Sequence, residues 1–128
     1  MKFKTTIFSI IALLFSSCSQ RQSLEEKAAA DAREYNRRYC PTPVINFMRT
    51  DSINFNPKNH TFTYYYSFCG MLDNEGVVSL NKDKITNMLG SSIKNSTSMK
   101  AYVESGYKFR IVCHSEKSPQ TILFELTP

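Results

Sequence analysis

Thr61-Phe62-Thr63-Tyr64-Tyr65-Tyr66-Ser67-Phe68-Cys69 is the stretch that decides the fold class of this 128-residue chain. Aromatic and β-branched residues dominate it, and these suit a half-buried pleated surface. Successive strand side chains point to opposite faces. Phe62, Tyr64, Tyr66 and Phe68 therefore share one face, and Thr61, Thr63, Tyr65, Ser67 and Cys69 share the other. The first face is wholly aromatic and must be covered, so residues 61–69 read as a strand with a core on one side.

Working outward, Pro57-Lys58-Asn59-His60 reads as a turn, and the chain before it also alternates. Ile45, Phe47, Ile53 and Phe55 share one parity and are expected in the core, with Asn46, Ser52 and Asn54 facing away. Two such runs joined by a short turn form a hairpin. Downstream, 70–80 reads as a connection with a turn at Asn74-Glu75-Gly76. A helix is expected from Lys82, with Ile85, Met88, Leu89 and Ile93 as its apolar face. Asn95-Ser96-Thr97-Ser98 breaks it before a short helix containing Met99, Tyr102 and Val103, and Gly106 suits the position just past a helix end. Residues 107–114 alternate again, with Tyr107, Phe109, Ile111 and Cys113 on one face. After a turn at 115–120, residues 121–127 close the chain with Ile122, Phe124 and Leu126 inward.

Upstream, Ser23-Leu24-Glu25-Glu26 is a capping box. A helix from there to Tyr39 carries a narrow stripe of Leu24, Ala28, Ala32, Tyr35 and Tyr39, with Glu34 and Arg38 as an i,i+4 ion pair. Pro41 disfavours helical geometry at Cys40 and ends the helix there. The pattern predicts an α+β fold: a two-layer domain with an antiparallel sheet of about four strands and helices on one face, in the order α-β-β-α-β-β.

The first eighteen residues have a different character. Lys2 and Lys4 precede an apolar run from Ile7 to Phe15 broken only by Ser9, followed by Ser16, Ser17 and Cys18. Basic, apolar and small residues in that order form the layout of a secretory signal. The run is shorter than the roughly 20 apolar residues a membrane span requires. Residues 1–17 are thus expected to be a signal peptide, 18–22 a tether and 23–128 a single domain. Lys2 and Lys4 fall within 1–17, so the mature chain keeps 14 basic residues against 11 acidic ones. This mild balance and the absence of a nucleic-acid-binding motif make nucleic acid an unexpected partner.

Few groups in the sequence suggest chemistry. Cys40, Cys69 and Cys113 form a disulfide or stay free thiols, and spacing does not choose among the three pairs. His60 falls in a turn. His114 faces away from its neighbour Cys113, although a Cys69–His114 pair across the sheet is conceivable. The sequence has no ligand-spaced His, Cys or carboxylate cluster and no glycine-rich phosphate loop, so neither metal nor cofactor is expected. Tyr64, Tyr65 and Tyr66 form a candidate binding surface, because alternation leaves aromatic rings on both faces.

Leu14-Phe15-Ser16-Ser17-Cys18 resembles the lipobox of bacterial lipoproteins. That resemblance implies cleavage before Cys18 and fatty acyl chains, palmitate among them, on Cys18. Each buried CH₂ contributes roughly 0.8 kcal/mol, so several chains hold a protein on a membrane. The layout also resembles small uncharacterised lipoproteins of the Bacteroidota, through the helix ending in Cys40-Pro41 and the strand and hairpin after Gly106. Asp51-Ser52-Ile53 resembles the O-glycosylation acceptor of that phylum, which implies glycan on Ser52. Together these imply a protein of the cell envelope, anchored to the inner or outer membrane through Cys18 and facing the periplasm. The expected function is non-enzymatic: a protein-interaction, accessory or inhibitor module with an envelope protein as partner. The alternative is a small-ligand or glycan-binding module using the aromatic residues of the sheet, and a thiol-dependent enzyme ranks third.

Overall fold

The computed structural model describes residues 22–128; the expected signal peptide, Cys18 and the expected tether up to residue 21 lie outside the described residues. The chain begins with α1 (Leu24–Tyr39), then forms β1 (Met48–Asn56) and β2 (Thr61–Phe68). A 3₁₀ turn at Gly70–Leu72 leads to α2 (Glu75–Leu80) and α3 (Lys82–Lys94). A second 3₁₀ turn at Thr97–Met99 runs into α4 (Lys100–Glu104), followed by β3 (Lys108–Ser115) and β4 (Ile122–Leu126). The α+β class, the order of elements and the four strands are as the sequence predicts. The sheet itself is mixed rather than antiparallel. Its order is β1-β2-β3-β4, with antiparallel outer pairs and a parallel central pair, Thr61 lying opposite Lys108 and Phe68 opposite Ser115. A parallel pair needs a long crossover, and residues 69–107 supply it.

The helices cover one face. Phe62, Tyr64, Tyr66 and Phe68 of β2 join Ile53, Phe55, Ile111, Cys113 and Phe124 in one core with Ala28, Ala32, Val78, Ile85, Leu89, Ile93 and Tyr102. Phe62 sits at its centre, stacked on Phe109 with centroids 5.7 Å apart and edge-on to Tyr102 at 4.9 Å. Such pairs contribute about 0.5–1.5 kcal/mol beyond the area they bury.

Several inward assignments are corrected by local geometry. Ile45 and Phe47 are exposed, at 66 % and 45 %. Ile45 and Met48 exchange main-chain hydrogen bonds around Asn46 and Phe47, which both have positive φ, 52° and 62°. This tight hairpin breaks the period before β1 starts. A bulge between Thr50 and Ser52 then shifts the parity, so Thr50 lies opposite Tyr66 while Ile53 lies opposite Tyr64. At the other end, a register shift between Cys113 and His114 leaves Ile122 half exposed. Met88 is also largely exposed, and only Ile85, Leu89 and Ile93 of α3 are buried. The region 70–80, read as a loop, contains α2: the Asn74 side chain accepts from the Val77 amide and caps it, and Val78 fills the core. At the start of α1, Ser23 accepts from the Glu26 amide as its capping box requires.

Asn36 of α1 supports the β1 edge. Its Nδ2 donates to the Ile53 carbonyl at 2.8 Å and its Oδ1 accepts from the Ile53 amide, also at 2.8 Å. The side chain replaces a missing fifth strand at that position. Thr42 does the same at Thr50, donating its amide to the carbonyl and accepting the Thr50 amide at its hydroxyl. Blocking an edge in this way guards against pairing with other chains. Asn36→Ala should therefore lower the unfolding free energy by about 1–3 kcal/mol. Asn54→Ala, at an exposed site on the same strand, should change it by less than about 0.5 kcal/mol. Urea denaturation of both variants checks the difference.

Candidate functional site

α1 packs over β1, whereas Ile85, Leu89 and Ile93 of α3 sit on the core further across the sheet. Between them a cleft of about 660 Å³ opens onto the aromatic face of β2. Its floor includes Tyr64, Tyr66 and Thr50; Tyr35, Tyr39, Glu34 and Arg38 form the α1 wall, and Ser92, Ser96 and Ser98 are on the opposite wall. The α1 wall follows from helical spacing, since Asp31, Glu34, Tyr35, Arg38 and Tyr39 recur at three and four residues. Ala28 and Ala32 beneath them are buried and small, which lets the helix approach the sheet.

Tyr64 and Tyr66 carry the geometry of the floor. Their rings are 6.1 Å apart and 17° from parallel. Both residues are more than nine-tenths buried, and desolvation in this floor pushes both phenols well above their usual range. No hydrogen bond contributes to either shift. Neither hydroxyl is sealed from solvent, because His114 Nδ1 is the one fully buried side-chain N or O atom without a partner among the described residues. The cleft thus presents two adjacent phenols that the protein leaves unpaired.

The charges at the rim, by contrast, are paired. Burial raises the Asp31 carboxyl, but the Tyr102 hydroxyl, donating at 2.6 Å, and Lys27 at 2.9 Å outweigh it and hold the group below its ordinary value. This contact also ties α1 to α4, with the Lys27 ammonium 5.3 Å from the Tyr102 ring centre. Hydrogen bonds from Arg37 and Arg38 bring Glu34 down to about 2.

The remaining candidates lie outside the cleft, with Tyr65 and Ser52 on the opposite face of the sheet. Tyr65 stacks on His114 at 6.3 Å, so the three consecutive tyrosines divide as alternation requires, two into the cleft and one away from it. Asp51 accepts from Arg49 Nε at 2.8 Å and from the Ser67 hydroxyl at 2.6 Å. Ser52 lies inside β1 opposite Tyr65, not in a turn, and is partly exposed. His60 is exposed, 3.3 Å from Glu25 and stacked on Tyr107. Cys40, Cys69 and Cys113 are all free thiols, and Cys113 is fully buried in the core. Cys69 donates weakly to the Ser67 carbonyl at 3.7 Å, without a hydrogen bond to His114. Burial, then the neighbouring Glu116, raises the Cys69 thiol to about 11, while burial alone raises Cys113 to about 12. An activated thiol needs the reverse shift. Among the described residues, no group of three His, Cys, Asp or Glu side chains could hold a metal ion, and no helix is long and apolar enough to cross a membrane.

Sequence reading singled out Tyr64 and Tyr66 but missed their partners in the cleft. Tyr35 was assigned to core packing, and Ser92, Ser96 and Ser98 carried no signal because only the crossover brings them over β2.

Fold and site together define a small two-layer α+β protein with an aromatic cleft between its helices. The chain belongs to the family described as a domain of unknown function (DUF8479), whose model matches residues 23–124. No curated protein matches the sequence. Among solved structures, it is similar to a crystal structure from Pseudomonas aeruginosa at 1.60 Å resolution, described as a "putative secreted protein". The match has a TM-score of 0.60 at 13 % identity, covering 81 % of this chain and 84 % of that one, and it establishes likeness of fold.

The thiol assignments give a pH prediction. Thiolate is the reactive form, so raising Cys69 from 9.0 to about 11 lowers its thiolate fraction at neutral pH about a hundredfold. Alkylation of native Cys69 by iodoacetamide should be about that much slower than alkylation of a free thiol at pH 7, and should rise roughly tenfold per pH unit until it levels off near pH 11. Peptide mapping after timed labelling measures both.

Proposed function

We propose that this chain is an exported, lipid-anchored envelope protein that acts without catalysis, as a binding module whose ligand enters the cleft between α1 and α3. The observation that carries the binding reading is the pair of unpaired hydroxyls on Tyr64 and Tyr66 in the cleft floor. Hydroxyls that reach the cleft without a protein partner are free to donate to a ligand that supplies an acceptor. The non-enzymatic reading is supported by the raised thiols of Cys69 and Cys113. The anchor rests on the resemblance of residues 14–18 to a lipobox. The description of the Pseudomonas protein as secreted agrees with export. The smaller reading of Ser52 as a glycan acceptor is supported by its partial exposure.

Three measurements test the proposal. With lipid on Cys18, the denatured protein titrates three free thiols, those of Cys40, Cys69 and Cys113, whereas an unmodified chain retaining Cys18 titrates four. Cys18→Ala should move the protein from the membrane to the soluble fraction, and retention on the membrane would remove the anchor. For the cleft, photoreactive benzoylphenylalanine at Tyr35 should yield a discrete adduct in intact cells, while the same group at Asn54 on the open face should not. Equal labelling from both positions would count against the cleft.

A further inference from the structure

Resting on the cleft as the binding site, we infer that its ligand is an extended, uncharged peptide segment of a partner protein, whose main-chain carbonyls accept from the Tyr64 and Tyr66 hydroxyls.

Spacing is the first argument. Tyr64 and Tyr66 are two positions apart on one strand, with nearly parallel rings 6.1 Å apart. An extended peptide repeats on the same side every second residue, about 6.6–6.8 Å. A segment lying along β2 across the cleft therefore offers successive same-side carbonyls at nearly the interval of the two phenols. Each phenol O–H gains one acceptor, and neither has a competing partner within the protein.

The second argument is charge. Asp31 is occupied by Lys27 and Tyr102, and Glu34 by Arg37 and Arg38. A cationic ligand would find both of these carboxylates already engaged, whereas a neutral one leaves the pairs intact. Composition is the third. Tyr35, Tyr39, Tyr64 and Tyr66 with Ser92, Ser96 and Ser98 combine rigid amphipathic rings with small adaptable hydroxyls. Antibody loops use the same combination against protein surfaces, because tyrosine supplies contact area at little entropic cost. Beyond Met48 at one end of the cleft, the hairpin that precedes β1 exposes Ile45 and Phe47. A peptide longer than the cleft could lay apolar side chains there.

The test uses the mature lipidated chain in detergent and a series of short capped peptides, Ac-Ser-Val-Trp-Val-Ser-NH₂ and relatives varied at the valines. The chain contains no tryptophan, so probe fluorescence excited at the red edge, beyond the absorption of its seven tyrosines, reports binding. Saturable binding is expected. Tyr64→Phe and Tyr66→Phe should each weaken it about fivefold, the factor of one net hydrogen bond. Tyr65→Phe on the opposite face should leave it unchanged. Unfolding midpoints show whether the Phe variants remain folded, and Ser96→Ala at the rim provides a second variant outside the core, expected to weaken binding less than either Phe variant. The inference fails if no peptide of the series binds, or if both Phe variants bind as tightly as the parent. If a linear β-linked glucose oligosaccharide binds instead, with the same loss in the Phe variants, the peptide class is overturned while the cleft remains a binding site. Absence of a cleft adduct from Tyr35 in cells would remove both.

Discussion

The parallel pairing of β2 with β3 is the constraint on which the rest of the molecule depends. Strands running in the same direction cannot be joined by a tight turn, so residues 69–107 must return along the sheet before β3 can form. That return carries α2, α3 and α4 over the face where Phe62, Tyr64, Tyr66 and Phe68 project. α1 arrives independently, before the sheet, and covers β1 on the same face. Two separate covers over one strand leave a seam, and the tyrosines of β2 lie beneath it. The cleft is thus a consequence of topology as much as of side-chain choice.

Why the seam stays open can be traced to particular residues. α1 contributes only alanines, Ala28 and Ala32, to the buried core. α3 ends at Lys94, and the serines that follow in the 3₁₀ turn have no bulk to fill the gap. On the sheet side, Tyr64 and Tyr66 stand where Phe62 and Phe68 show that phenylalanine packs well. A phenol hydroxyl contributes nothing to core packing and costs free energy when desolvated without a partner. Its presence at the two middle positions, but not at the flanking ones, coincides with the part of the strand that the helices leave uncovered.

Much of the fold was legible because local signals agreed. Ser23 caps α1, Pro41 ends it, and the alternation from Thr61 to Phe68 reads directly onto the two faces of β2. Errors arose where one residue changed the phase. The bulge at Asp51 transfers the core-facing positions of β1 from even to odd numbers, so extending the parity of Ile53 back to Ile45 and Phe47 placed both on the wrong side. At the bulge the Asp51 carboxylate lies between Arg49 and the Ser67 hydroxyl on the open face. No alternation rule anticipates such a side-chain contact. The parallel central pair was equally hidden: a run of alternating residues specifies a strand but not the direction of its neighbour. The cleft was half legible, since the tyrosine run is local but the opposite wall is built from residues brought near only by the crossover.

If the proposed anchor holds, α1 also links the cleft to the chain's point of attachment. It is both the cleft wall that bears Asp31, Glu34, Tyr35 and Arg38 and the first helix of the described residues. A 16-residue helix is about 24 Å long at 1.5 Å per residue. With lipid on Cys18, as proposed, the Ser23 end lies close to the membrane while Tyr39 and the Ile45–Met48 hairpin lie at the other end of the helix. A ligand that enters the proposed site at the Tyr39 end reaches Tyr66 before Tyr64, with the exposed Ile45 and Phe47 of the hairpin at that same end. That order favours a long, flexible segment of a neighbouring envelope protein over a headgroup of the anchoring membrane, because the apolar hairpin is at the end of α1 away from the lipid.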